Sequence, residues 1–200
     1  MPDAPPFLRL FLALPVPEAV RREITRARDQ LRREVPPGII RWTPPEQYHV
    51  TLKFLGDIPT DQVAALQSIV AQVAAPFPPL ALTAHGLGSF PSLHSPRVLW
   101  TGAKEPTGQL TTLAQQLTEA TRPFAPTEKP EAFTAHITLG RFKPGRFPLH
   151  PEKYQARFQR LVDQPFGTWP ADAVELVRSE LTATGARHEV LACYPLAGSH

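Results

Sequence analysis

The chain contains a single cysteine, Cys193, so it can form no disulfide within itself and no all-cysteine zinc site. It also lacks any run approaching the roughly 20 apolar residues that a membrane-spanning helix needs. The apolar stretch 7–16 is interrupted by Arg9 and no small-residue cleavage site follows it. It therefore reads as a short buried strand rather than a signal peptide. With no export signal and one thiol, the expected location is the cytoplasm, with no membrane partner. Charge of one sign is not in large excess: 21 basic residues face 18 acidic ones, for a net charge of +3. That balance is compatible with a phosphate-bearing partner but does not demand one. Long Pro/Gly/Ser tracts, the usual mark of a flexible linker, are missing too. Proline itself is abundant, at 25 of 200 residues, and clusters between apolar segments. It cannot continue a helix or pair inside a sheet, so the clusters punctuate short elements. Hydrophobic residues reach 42%, enough for a packed interior in one domain or in two small lobes sharing a core.

The first strand expected is 9–14, ended by Pro15 and Pro17. A helix comes next, with Val20, Ile24, Ala27, Leu31 and Val35 at helical spacing and a charged face that includes Arg21, Arg22, Arg28 and Arg32. Residues 48–55 form a second strand, closed by Gly56-Asp57. Thr60 is placed to cap a second helix carrying Val63, Leu66, Ile69, Val70 and Val73. Residues 80–84 form a third strand. The order then recurs. A strand at 97–101 precedes a helix with Leu110, Leu113, Ala114, Leu117 and Ala120, then a strand at 135–142, a short helix at 151–162 and a strand at 174–181. A final strand near 189–194 pairs as a hairpin through Gly185. The expected organisation is one bilobal domain, 1–200, with repeat units of approximately 7–85 and 97–181. The fold class is α+β: two pseudo-symmetric lobes of mostly antiparallel sheet, outer helices and a central cleft. Because the duplication already supplies both halves of a cleft, a monomer is expected.

At matching places in the two units stand His49-Val50-Thr51-Leu52 and His136-Ile137-Thr138-Leu139, 87 positions apart. One such tetrapeptide arises by chance roughly 0.06 times in this composition, so two copies at the repeat offset are not coincidence. In a strand, residues i and i+2 share a face. Each strand thus buries its aliphatic pair and presents an imidazole and a hydroxyl to the cleft. Two imidazoles, each titrating near an ordinary pKa of about 6.5, can serve as general acid and general base. Two hydroxyls can hold the non-bridging oxygens of a phosphodiester between them. No carboxylate cluster accompanies the motifs, and a zinc site would lack a third ligand, so no metal and no cofactor are called for.

Paired His-x-Thr-Leu motifs in a duplicated chain of this size resemble the 2H phosphoesterase superfamily, in particular its LigT-like branch of RNA 2′,3′-cyclic phosphodiesterases, also described as 2′-5′ RNA ligases. The resemblance runs over nearly the whole chain, including Arg9 to Leu14, His49 to Gly56, His136 to Arg141, Glu175 to Leu181 and Tyr194 to Leu196. It implies hydrolysis of a 2′,3′-cyclic phosphate at an RNA end to a 2′-phosphomonoester. It implies His49 as proton donor, His136 as proton acceptor, and Thr51 and Thr138 as holders of the phosphate oxygens. Arg141 matches the arginine that closes the second motif and would neutralise phosphate charge. Strict alternation puts Arg141 on the face opposite His136, so it must lie past the strand end or on a twisted edge to reach the site. Phe54 and Phe142 are candidates to flank the substrate and stack a base. The segment 87–91 resembles a family loop. His85, His94, His150, His188 and His200 are assigned no catalysis, and Cys193 reads as a small buried hydrophobe. The same site could instead join RNA ends through a 2′-5′ linkage or open another cyclic nucleotide. A non-catalytic RNA-binding module would need neither histidine.

Overall fold

The computed structural model describes residues 6–92, 95–125, 132–144, 161, 163–182 and 185–199. The strands are β1 (Phe7–Pro15), β2 (Ile40–Trp42), β3 (His49–Pro59), β4 (Leu80–Phe90), β5 (Val98–Lys104), β6 (His136–Phe142), β7 (Pro165–Ala171), β8 (Ala173–Thr182) and β9 (Gly185–Pro195). The helices are α1 (Glu18–Glu34), α2 (Val63–Ala74) and α3 (Gln109–Ala120). The expected helix at 151–162 lies outside the described residues except for Leu161, as do His94, His150 and His200. The α+β class is as read from the sequence, and every strand pairing among the described residues is antiparallel.

The strands form one sheet in the order β7-β4-β5-β6-β3-β1-β8-β9, with β2 added beside β6. The order is symmetric about the β6–β3 junction: β5 and β1 flank it, then β4 and β8, then β7 and β9. The sequence repeat and the spatial half are therefore different sets of strands. β4, last strand of the first unit, pairs with β5 of the second; β8, last strand of the second unit, pairs with β1 of the first. This exchange interlocks the halves through backbone hydrogen bonds rather than through side-chain packing alone.

Each helix buries the centre of the stripe that its spacing predicts, with Val63, Ile69, Val73 and Ala120 half-buried at its margins. Val20, Ile24, Ala27 and Leu31 of α1 are buried, as are Leu66 and Val70 of α2, and Leu110, Leu113, Ala114 and Leu117 of α3. They join one core with Leu10, Leu12 and Leu14 of β1, Val50, Leu52, Ile137 and Leu139. No described helix is long and apolar enough to cross a membrane.

Four expectations change. α2 is preceded by a single 3-10 turn over Thr60–Gln62, so its N-cap position is Gln62 and not Thr60. β3 and β4 run on past Gly56 and Gly86, which sit at φ of +72° and +70°. A glycine there makes a bulge inside a strand instead of ending it. Arg28 is only 7% exposed, unlike its neighbours on the charged face of α1. Cys193 is exposed, because on β9 it alternates with Tyr194, whose side chain is the one that turns inward.

Candidate active site

His49 opens β3 and His136 opens β6. Among the described residues these two strands share one backbone pair, Val50 with Ile137, and both side chains are fully buried. Alternation about that pair turns His49, Thr51, His136 and Thr138 to the opposite face. The antiparallel register sets His49 alongside Thr138 and Thr51 alongside His136. All four line one cleft of about 1000 Å³. The aliphatic half of each motif thus anchors the junction in the core, and the polar half is delivered to the cleft by the same two strands.

A pair of matching bulges then sets the direction of the side chains beyond each threonine. Thr51 faces Ala13 and Lys53 faces Leu12, which leaves Leu52 as the extra residue of β3. Thr138 faces Trp100 and Gly140 faces Leu99, which leaves Leu139 as the extra residue of β6. The extra residue reverses the alternation. In β6, Leu139 and Gly140 are buried in succession and Arg141 is exposed. Arg141 therefore returns to the His136 face and lines the cleft, and Phe54 does the same in β3. Phe54 is 51% exposed, not a core residue. The same bulge overturns Phe142 as a substrate contact: it faces the core, packs there partly buried, and is not among the cleft-lining residues.

Both imidazoles are tethered alike. The Nδ1–H of His49 donates to the carbonyl of Gln47 at 2.8 Å, and that of His136 to the carbonyl of Thr134 at 2.7 Å. These bonds assign the proton to Nδ1 in the neutral rings and leave Nε2 uncommitted to the backbone. The Nε2 of His49 accepts from the Thr51 hydroxyl at 3.0 Å. Gln47 is itself held, its side-chain amide donating to the Ala186 carbonyl at 2.7 Å. Arg28 donates from Nη1 to the Thr43 carbonyl at 3.3 Å, which explains its burial: it pins the loop that leads into His49.

Aromatic rings surround the two imidazoles. Phe11 lies 4.9 Å from His49, centroid to centroid, and Phe90 lies 4.9 Å from His136 at an edge-on 86°. Trp100 stands 6.2 Å from His136, and its ring fills the space that a side chain at Gly88 would need. Burial against these rings disfavours the charged form of both imidazoles. His49 is lowered to about 4, by desolvation first and then by the nearby His188 and His136, against a partial restoring effect of the Gln47 carbonyl. His136 is lowered by desolvation and by the Arg141 charge.

His188 is the main residue that the sequence reading passed over. Its ring lies 5.4 Å from that of His49 and 5.1 Å from that of Phe11. It stands on β9 opposite Ser179 of β8, and both line the cleft. The hairpin through Gly185 was legible, but which face of it meets the cleft depends on β8 pairing with β1, Val177 opposite Phe11. Arg9, Arg41, Trp42 and Arg187 also line the cleft and were not singled out as site residues. No group of three His, Cys, Asp or Glu side chains is placed to hold a metal ion among the described residues.

Known proteins resemble this chain along most of its length. The family model described as LigT like Phosphoesterase matches residues 14–100. The RNA 2′,3′-cyclic phosphodiesterase of Thermus thermophilus is 33% identical over 203 residues, covering 96% of this chain and 92% of that protein. The chain belongs to the LigT-like phosphoesterase family. The family model reaches the first motif only, and the second lies within the full-length likeness. A protein of the same description from Geobacillus stearothermophilus is 30% identical over 94% of this chain, which spans only 57% of that relative's length. Among solved structures, TT0787 of T. thermophilus superposes with a TM-score of 0.78 at 31% identity, covering 96% of this chain and all of that one. The LigT-like fold thus extends over both halves of the sheet.

Proposed function

We propose that this LigT-like phosphoesterase hydrolyses 2′,3′-cyclic phosphodiester ends of RNA to 2′-phosphomonoesters by proton transfer between two histidines, with no metal in the reaction. The observation that carries this reading is the pair of imidazoles tethered through Nδ1 at one cleft, each with a threonine hydroxyl two residues on. Nε2 of His136 takes a proton from water as the water oxygen attacks phosphorus. The bond to the 3′ oxygen breaks, and that oxygen leaves with the proton from Nε2 of His49. Thr51 and Thr138 donate to the non-bridging oxygens, where charge accumulates. Phe54 supplies an apolar face for the terminal base. The naming of the relatives as RNA 2′,3′-cyclic phosphodiesterases supports the substrate class. The test is product analysis from an oligonucleotide with a 2′,3′-cyclic phosphate end, with the phosphate expected on O2′. Phosphate on O3′ would exchange the leaving groups, and longer strands would indicate end joining.

The proton donor must be charged, yet burial holds His49 at about 4 in the free protein. Above that pH its protonated fraction falls about tenfold per unit. The second-order constant kcat/KM, which reports the free protein, should therefore decline across neutrality. A bound phosphate anion stabilises the imidazolium, so the alkaline limb of kcat should lie at higher pH than that of kcat/KM. Coincident limbs near the ordinary imidazole value of about 6.5 would show that burial does not govern His49. His188 lowers His49 by its charge, so His188→Gln should move the kcat/KM limb upward.

A further inference from the structure

Gln47 is engaged at both of its ends. Its main-chain carbonyl accepts the Nδ1–H of His49 at 2.8 Å, and its side-chain Nε2–H donates to the Ala186 carbonyl at 2.7 Å, 139 positions further along the chain. Both segments that this residue joins lie beyond the ladders of β1. That strand ends at Pro15, opposite His49, and does not continue beside the 3-10 turn over Pro45–Gln47. The main-chain bonds of the turn are internal, from the Gln47 N–H to the Pro44 carbonyl at 2.9 Å and from the Tyr48 N–H to the Pro45 carbonyl at 3.1 Å. On its other edge, β1 pairs with β8 only as far as Leu10 opposite Arg178. Ala186 and His188 lie past that point on the β8–β9 hairpin, opposite Leu181 and Ser179.

The second motif is held differently. Thr134 supplies the carbonyl for His136, and the next carbonyl, that of Ala135, accepts the Ala103 N–H at 3.0 Å. β5 runs on to Lys104 and so continues past His136, which fixes the segment before that histidine through the backbone. Before His49 no strand gives this support among the described residues, and the Gln47 amide takes its place. The same bond fixes the facing wall. His188, two residues from Ala186, packs edge-on against the His49 ring at 5.4 Å. One side chain thus governs both the acceptor at Nδ1 and the neighbour on the ring. The bond made by one imidazole nitrogen sets where the other points. We propose that Gln47 is a positioning residue, which aims Nε2 of His49 at the leaving 3′ oxygen by locking the turn before β3 to β9. The inference rests on the proton-donor role proposed for His49 and adds the residue that sets its direction.

The test is Gln47→Leu, which keeps the bulk of the side chain and removes the donor, on two substrates. One is a 2′,3′-cyclic-phosphate-ended oligonucleotide. The other carries sulfur in place of the bridging 3′ oxygen, and a thiolate leaves without needing a proton. On the oxygen substrate kcat should fall about ten- to a hundredfold, the effect of a small misplacement, with kcat/KM falling equally. On the sulfur substrate the variant should stay within about threefold of the native protein, since the misplaced group is no longer required. Native kcat on the oxygen substrate, or an equal loss on both, would overturn the role of Gln47. A second measurement is independent of turnover: the long-range 1H–15N spectrum of the histidine rings in the free protein. Gln47→Leu should shift His49 from the Nδ1–H form toward a mixture of neutral tautomers, with His136 unmoved. No shift at His49, or an equal one at His136, would reject the proposal. His49→Ala on the same two substrates separates the underlying reaction: an equal loss on both would reject His49 as proton donor, and the ring spectrum would still decide whether Gln47 directs it.

Discussion

Replacing His136 or His49 by alanine is expected to lower kcat/KM on a cyclic-phosphate-ended oligonucleotide by on the order of 10² to 10⁴-fold. Each ring is held by one backbone hydrogen bond and has one remaining nitrogen at the cleft, so no neighbour can take over its proton. His188 is near enough to His49 to be a candidate substitute, at 5.4 Å between rings, but it lies on β9 without a tether of the Gln47 kind among the described residues. Neither ring belongs to the buried core, so thermal melts of the two variants should stay close to the native curve. Loss of turnover together with loss of cooperative melting would indicate a damaged fold. Native turnover in His136→Ala would remove the proposed base.

Thr51→Val and Thr138→Val preserve shape and remove a hydroxyl. Each should cost about 10² to 10³-fold in kcat, the range for one preorganised donor to a developing oxyanion. The two should not behave alike. Thr51 also donates to Nε2 of His49, and no matching bond joins Thr138 to His136 among the described residues. Thr51→Val should therefore displace the alkaline limb of the pH profile in addition to lowering the rate. Thr138→Val should lower the rate with the limb in place. Steady-state kinetics over pH on both variants checks this, and identical profiles would assign the threonines a common, purely phosphate-holding role.

The two motifs were legible because a strand's period of two is a local property. His49 with Thr51, and His136 with Thr138, share a face whatever the rest of the chain does. Their aliphatic partners carry the second half of the signal, since Val50 and Ile137 had to go inward. Arg141 and Phe142 mark where that logic stopped. Alternation assigned Arg141 to the core face and Phe142 to the cleft face, and one extra residue at Leu139 exchanged them. A bulge is set by the partner strand's register, here Leu99 and Trp100 of β5, and so cannot be read from β6 alone. β2 and β7 were missed for a related reason. β2 is three residues long, and Pro165, Gly167 and Pro170 give β7 the composition of a loop. β7 is a strand because β4 offers it an unpaired edge.

The amino-acid order alone determined the recurring His-x-Thr-Leu with its paired imidazoles and hydroxyls, the helical stripes and the antiparallel α+β class, because each arises from contacts within a few residues or from comparing the chain with itself. Tertiary structure alone decided that the last strand of each unit is exchanged between halves, that bulges turn Phe54 and Arg141 into the cleft, and that His188 and Arg41 stand beside residues more than 90 positions away. Those outcomes depend on which strand edges find each other across the sheet, and backbone pairing over such distances leaves no periodic trace in the chain.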